Sequence, residues 1–164
     1  MPADNRAILL RHLNETHQAI EELLAVIDPI KEIYPGWTIK EILAHLSGWD
    51  DACIDALRMH ELDHSPSTPA IHSLDKYNEL SVFSRKGLTY DQILKEWRVT
   101  RKILCEIIEG LPEGKFLEPV AVPWGKKITV SKLLEIFIHH DKEHSMDIIE
   151  WLKKPEKPLG KAGK

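Results

Sequence analysis

Hydrophobic side chains recur every three or four positions along four long stretches of the chain. These stretches cover residues 4–27, 38–62, 89–110 and 129–154. The spacing matches one face of an α-helix, on which side chains three and four residues apart lie above one another. It predicts four long helices, each with one apolar side to bury.

Two of these helices begin with a capping signal. Thr38 is followed three residues later by Glu41, and Thr89 is followed by Gln92 at the same spacing. This is the pattern of a capping box, in which the two side chains satisfy free backbone N–H groups at the helix start. A shorter helical pattern over residues 73–85 lies between the second and third long helices.

One stretch, residues 116–128, has some strand-forming residues. It contains Val120 and Val122, but also Pro119 and Pro123. Proline cannot donate a hydrogen bond to a neighbouring strand. We therefore predict an irregular connection here and no strand.

These elements predict an all-α fold. Four amphipathic helices without a sheet bury their apolar faces most simply as a four-helix bundle. The long connection between the second and third helices predicts one long crossover, and residues 73–85 predict one short extra helix. We assign residues 1–154 to this bundle and residues 155–164, rich in lysine, proline and glycine, to a flexible basic tail.

Composition narrows the class of function only slightly. The chain has 164 residues, 43% hydrophobic and 29% charged, with a net charge of −4. These values are ordinary for a globular domain and give no reason to expect binding to nucleic acid or to a membrane. With two cysteines, no secretory signal and no apolar run near the ~20 residues of a membrane span, a cytoplasmic location is expected.

Nine of the residues are histidines, and three of them lie on predicted apolar faces. His140 and His144 are one turn apart on the last helix, so their imidazoles can converge on a divalent metal such as zinc, nickel or iron. His45 lies on the apolar stripe of the second helix, where an inward imidazole needs a partner. We predict a three-histidine metal site; the alternative is three core histidines bonded to carbonyls or carboxylates.

Two literal metalloprotease patterns compete with this site. Residues 60–64 read H-E-x-x-H, but they fall at a helix end just before Pro66, about 22 Å along the helix from His45. Residues 140–144 read H-x-x-E-H, the inverted form, yet no later carboxylate stands out as a third ligand. Both patterns are therefore weak evidence for a peptidase.

Three carboxylates near the histidines are candidates for a chemical role. Asp141 and Glu143 are the candidate catalytic residues, because either could transfer a proton at the site. Asp141, or Glu41 one turn before His45, could instead orient an imidazole. The alternative for each of the three is a solvated surface charge.

Two segments carry a resemblance to a known family. Residues 37–50 contain a tryptophan, a helix cap and an apolar run into His45, and the pattern H-x-x-E-H-x-x-x-I begins at His140. Both resemble the DinB-like (YfiT-like) superfamily of four-helix-bundle proteins, most closely its ClbS/DfsB branch. The likeness spans residues 5–153.

The resemblance implies a bundle with one crossover in which His45, His140 and His144 hold a divalent metal, usually zinc or nickel. It also implies a tendency to form homodimers. Activities differ within the family. Some members are similar to S-transferases or isomerases that use bacillithiol, mycothiol or glutathione, and the ClbS branch includes a self-resistance protein that hydrolyses a strained electrophilic ring.

Two hypotheses for function use these histidines, and a third is a structural bundle whose function lies in dimerisation, with the histidines as relics. The first is a metal-dependent enzyme that acts on a small electrophilic substrate by hydrolysis or thiol transfer. The second is a non-catalytic module that binds or sequesters a small molecule in the same bundle, as a self-resistance protein would. Three histidines suit either one, since family members share a scaffold more securely than a reaction.

Overall fold

The structure, a computed structural model, describes residues 3–66 and 72–155. Within these ranges the chain forms six helices and one two-stranded hairpin. In chain order the elements are α1 (Arg6–Leu24), α2 (Ile39–Glu61), α3 (Leu74–Phe83), α4 (Tyr90–Gly110), α5 (Glu113–Leu117), β1 (Pro119–Ala121), β2 (Lys127–Thr129) and α6 (Val130–Lys153).

The four long helices α1, α2, α4 and α6 confirm the predicted all-α bundle. They pack most extensively as two pairs, α1 with α6 and α2 with α4. Leu13, Ile42, Trp97 and Ile148, one from each helix, are fully buried between them. The short helix α3, in the connection between α2 and α4, packs on the outside of α2.

Both predicted capping boxes are present. The Thr38 side chain accepts a hydrogen bond from the backbone of Lys40, and Glu41 accepts one from the backbone N–H of Thr38 at 2.8 Å. Thr89 and Gln92 make the equivalent bonds at the start of α4. The Thr38 cap fixes where α2 begins, and so fixes the position of His45 along the bundle axis.

The prediction of an irregular connection over residues 116–128 is wrong. Antiparallel β1 and β2 pair Val120 with Ile128, and α5 precedes them as a second short helix. Pro119 is the first residue of its strand and Pro123 lies in the turn beyond it, so neither proline interrupts the pairing. Gly125, with φ of 83°, supplies the left-handed backbone that this turn requires.

Two other expectations concern the chain as a whole. The predicted basic tail, residues 155–164, lies outside the described residues except for Pro155. Across the described ranges, no helix is long and apolar enough to cross a membrane.

Helix α3 approaches α2 most closely at Gly48. A Cβ at this position would lie 2.5 Å from the Cβ of Ser81, well inside normal contact distance. Tyr77, one turn earlier on α3, donates a hydrogen bond from Oη to the Gly48 carbonyl at 2.5 Å. The missing side chain is therefore what allows α3 to dock.

We expect Gly48→Ala to lower the free energy of unfolding by about 1–3 kcal/mol, the usual cost of overpacking. The loss should outweigh the ~1 kcal/mol by which alanine favours a helix over glycine. Gly110→Ala is the matched control, because a Cβ there meets no atom within 4 Å. Urea denaturation of both variants measures the effect. A Gly48→Ala protein as stable as the parent would contradict this account of the α2–α3 contact.

Candidate metal centre

Three imidazoles converge between the first third of α2 and the middle of α6. Nε2 of His140 lies 3.1 Å from Nε2 of His45 and 3.1 Å from Nε2 of His144. The three ring planes are inclined to one another by 69–73°, so the rings meet by their edges and do not stack. The structure thus brings together the three histidines that the sequence placed on facing stripes.

The spacing of these nitrogens fits a shared metal ion. A tetrahedral zinc with Zn–N bonds of 2.0–2.1 Å holds its ligand nitrogens about 3.3 Å apart. Ligand atoms of His45, His140 and His144 all lie within 4.8 Å of one another, and no other such group of three or more occurs among the described residues. A neutral imidazole could donate from Nε2 to one neighbour, whereas a single divalent cation would bind all three Nε2 atoms at once.

Burial keeps these imidazoles neutral, which is the form that binds a metal. Desolvation, reinforced by the neighbouring histidines, lowers the pKa of His45 to about 3. Desolvation and then His144 lower the pKa of His140 to about 4, and desolvation also lowers that of His144. At neutral pH no proton therefore competes with a cation for the three Nε2 atoms.

A hydrogen-bonded chain behind His144 sets which of its nitrogens faces the cluster. Tyr34, in the loop before α2, donates from Oη to Asp147 Oδ2 at 2.7 Å. The same Oη lies 3.0 Å from His144 Nδ1, and it must accept there because its own proton is committed. His144 therefore carries its proton on Nδ1 and presents an unprotonated Nε2, the arrangement typical of a metal-bound histidine.

His45 has no such partner. Its Nδ1 is buried and makes no hydrogen bond, and the ring lies 5.5 Å from that of Trp37. A buried polar atom without a partner costs free energy, so the inward position of His45 needs compensation at its other nitrogen. A cation bound at Nε2 would supply it.

Two cavities adjoin the cluster. One, of about 360 Å³, is bordered by His45 and His140 and has a largely apolar wall: Trp49, Leu74, Trp124, Ile136 and Phe137. The other, of about 540 Å³, reaches all three histidines and is bordered by Trp37, Met146 and Asp147. Asn78 and Glu143 line both cavities. The histidines are therefore reachable by a small molecule.

Asp141, a predicted catalytic residue, lies in a buried ion-pair group instead of facing the cavities. Arg101 of α4 donates from Nη1 to Asp141 Oδ2 at 2.5 Å and holds Asp50 of α2 through two bonds of 3.0 Å. Thr16 of α1 also donates to Asp141, at 3.0 Å. Side-chain exposure within the ion pairs is 3% for Arg101, 0% for Asp50 and 1% for Asp141. The group ties α6 to the other three long helices directly beside His140.

The other two carboxylates have different surroundings. Glu143 is 59% exposed and lies 3.3 Å from Nε2 of the exposed His139, at the edge of both cavities. Glu41 is committed to the capping box with Thr38, so it does not orient His45. Of the carboxylates considered from the sequence, Glu143 is the one open to a bound molecule.

Residues 60–64 do not form a metal site in this structure. His60 is buried and donates from Nε2 to the Lys115 carbonyl at 2.8 Å. Helix α2 ends at Glu61, and Asp63 has a left-handed φ of 58°, so His64 does not follow His60 on a helix face. The helix therefore ends within this pattern, as predicted from the sequence, and His60 is a core histidine bonded to a backbone carbonyl.

We expect the chelator-treated protein to lose stability as the pH falls. A buried histidine with a pKa of about 3–4 takes up its proton only on unfolding, where its pKa is about 6.5. Its contribution is complete above pH 6.5 and is lost as the pH drops towards 4. Between pH 7.5 and 5.5 the three histidines should together lower the free energy of unfolding by at least about 2 kcal/mol.

Urea denaturation at the two pH values, in the presence of chelator, measures this loss. His139→Ala, which removes a histidine that is 74% exposed, should show the same loss as the parent. His45→Gln should show a smaller one. Equal stability of the parent at both pH values would contradict the burial of the cluster.

Sequence reasoning missed three residues around this site. Arg101 lies four residues after Trp97 and three before Leu104, on the apolar stripe of α4, and its inward position was readable from that spacing. Asp147 lies three residues after His144, close enough on a helix to share a partner with it. Tyr34 lies in a loop, where no periodicity indicates direction.

Comparison with known proteins gives one family and several similar folds. A family model described as the DinB superfamily matches residues 6–146. A Streptococcus pneumoniae protein of solved structure superposes with a TM-score of 0.76 at 15% identity, covering 93% of both chains. None of the curated proteins compared with the chain matches it in sequence.

The mycothiol-dependent maleylpyruvate isomerase also has this fold. Its crystal structure superposes with a TM-score of 0.72 at 14% identity, over 90% of this chain. The match covers 61% of the isomerase, so this chain spans less than two thirds of that protein. At such identity the likeness concerns the fold alone.

Proposed function

This chain belongs to the DinB superfamily, and on that premise we propose that it is a metal-dependent enzyme acting on a small electrophilic substrate by hydrolysis or thiol transfer. The proposed ligands are His45, His140 and His144, with zinc or nickel as the metal. The observation that carries the proposal is the convergence of three neutral imidazoles, one buried and two partly buried, beside two open cavities, with Nε2 of His140 3.1 Å from Nε2 of each of the other two.

The donor set fits a catalytic site better than a structural one. Three neutral nitrogen ligands leave a fourth position of a tetrahedral ion for water or substrate. When bound, such a cation lowers the pKa of a water or thiol enough to make it a nucleophile at neutral pH. The chain's own contribution is to keep the imidazoles unprotonated and to fix the ring of His144 through Tyr34.

The two predicted catalytic carboxylates receive different roles in this proposal. Glu143 borders both cavities and is solvated, so it is the residue we assign to proton transfer. Asp141 is buried, ion-paired with Arg101 and bonded to Thr16, and it borders neither cavity. We assign Asp141 to positioning α6, and with it His140.

Within the superfamily we propose the ClbS/DfsB branch, supported by the H-x-x-E-H pattern that begins at His140. A homodimer and the use of a low-molecular-weight thiol are further proposals. The thiol route is supported by the fold shared with an enzyme described as mycothiol-dependent. Hydrolysis is supported by the position of Glu143, where a general base would meet solvent.

A second candidate function is binding or sequestration without turnover. It is favoured by the largely apolar wall of the smaller cavity, with Trp49, Trp124 and Phe137, because these side chains can bind the body of a ligand but supply no catalytic group. In this case a toxic small molecule would be held at one equivalent per chain and recovered unchanged.

Elemental analysis of the untagged protein tests the proposal. We expect about one zinc or nickel ion per chain, and uptake of one equivalent of zinc after treatment with chelator. Consumption of styrene oxide, or of 1-chloro-2,4-dinitrobenzene with added thiol, by the metal-loaded protein and not by the chelator-treated protein would support an enzyme. Metal without turnover would favour sequestration, and failure to bind metal even on titration would sink both metal-based readings.

A further inference from the structure

The smaller, apolar-walled cavity carries information about the charge of the ligand body that it can hold. Trp49 and Trp124 lie edge to face with ring centroids 6.0 Å apart, and Trp49 donates from Nε1 to Asn78 Oδ1 at 2.8 Å. This bond uses one of the two lone pairs of the Asn78 oxygen and leaves the amide uncharged. The wall thus presents two indole rings, further apolar carbon and one neutral amide.

The charged residues around the cavities share one sign. Glu143 borders both cavities and Asp147 borders one, while no lysine or arginine is among their described lining residues. His139 also borders the smaller cavity, where its Nε2 lies 3.3 Å from Glu143. A ligand body extending from the histidines therefore meets carboxylates and indole faces, and both attract cations and repel anions.

We infer that the part of the ligand lying over this cavity is neutral or cationic with an apolar body, and that anionic bodies are rejected. The inference rests on the proposed function in one respect, because the proposed function places the reacting group at one end of the ligand, its head, at the histidines. A bound cation there would attract an anionic head group. The preference concerns only the portion that extends towards Trp49, Trp124 and Glu143.

Three probes with one metal-binding head separate these two effects. They are benzohydroxamic acids with a 4-aminomethyl, a 4-methyl or a 4-carboxy group, titrated into zinc-loaded protein and followed by tryptophan fluorescence. The aminomethyl and methyl probes should bind at least 10-fold more tightly than the carboxy probe. Equal or tighter binding of the carboxy probe overturns the inference.

A second pair of probes works without the metal. On chelator-treated protein, 2-naphthylmethylamine should bind more tightly than 2-naphthoate by a similar factor, and the reverse order overturns the inference. Zinc content is measured before any probe is added. Failure to load zinc would therefore count against the proposed function alone, with the charge preference still decided by the naphthyl pair.

Charge reversal at the cavity edge gives the matched variants. Glu143→Lys should reduce the preference for the aminomethyl over the carboxy probe at least 10-fold. Glu106→Lys makes the same change of net charge on α4 at a side chain that is 61% exposed, against 59% for Glu143, and borders neither cavity. Its preference should equal that of the parent, and an unchanged preference in Glu143→Lys overturns the inference.

Discussion

Replacing Arg101 by methionine should destabilise the protein by about 3–5 kcal/mol, the cost of leaving buried charges without their partner. Arg101 is the cation that Asp50 and Asp141 share, and all three side chains are at most 3% exposed. Without the guanidinium, two carboxylates would lie close together in a medium that solvates them poorly. The variant must either unfold more readily or take up protons.

Urea denaturation at pH 7.5 measures this effect, and Arg98→Met supplies the control. Arg98 lies one turn earlier on α4, is 51% exposed and pairs with Glu21, so its loss should cost at most about 1 kcal/mol. Adding Asp141→Asn to Arg101→Met removes one of the stranded charges and should recover part of the stability. An Arg101→Met protein as stable as Arg98→Met would show that the buried group is not the linkage described above.

Removal of one imidazole should have the largest effect on metal binding. His45→Ala leaves only the two histidines of α6, and we expect its zinc affinity to fall by at least about 100-fold. Loss of a group that merely orients a ligand costs 10–100-fold, so loss of a ligand should reach or exceed the upper limit. On the same argument Tyr34→Phe, which keeps the ligand and removes its hydrogen bond, should cost about 10-fold.

Competition with a chromophoric chelator gives these affinities. His139→Ala and His60→Ala are the controls, because one ring is 74% exposed and the other is bonded to the Lys115 carbonyl. Both should bind zinc as the parent does. If His60→Ala and not His45→Ala abolished binding, the H-E-x-x-H pattern would be the true site.

The histidine cluster was predictable because helical periodicity alone decides which way a side chain faces. His45 lies between Ile42 and Trp49 on one stripe, and His140 and His144 share another, so each had to point into the bundle. The capping boxes at Thr38 and Thr89 were equally local. The direction of each side chain and the helix caps depend on residues within a few positions of one another, and these features were predicted correctly.

The partners of the carboxylates were not predictable on that basis. Asp141 borders the same face as His144, and only the rotation of α4 against α6 decides that it meets Arg101 and not an imidazole. The hairpin after α5 was not predicted, for a related reason. Two prolines argue against a strand by composition, but their effect depends on their positions. Pro119 is the first residue of β1 and Pro123 lies in the turn beyond it, so neither disrupts the pairing.

The pairing of the long helices has a consequence for how the protein opens. Helices α1 and α6 form one pair and α2 and α4 the other, and the two polar clusters both bridge them: the histidines join α2 to α6, and Arg101 of α4 holds Asp141 of α6. Transient separation of the pairs has to break both links. Amide hydrogen exchange along the inner faces of α2 and α6 should therefore slow when zinc is added, while exchange in the β1–β2 hairpin stays constant. In such a bundle, an ion at the site also governs how long the molecule stays closed.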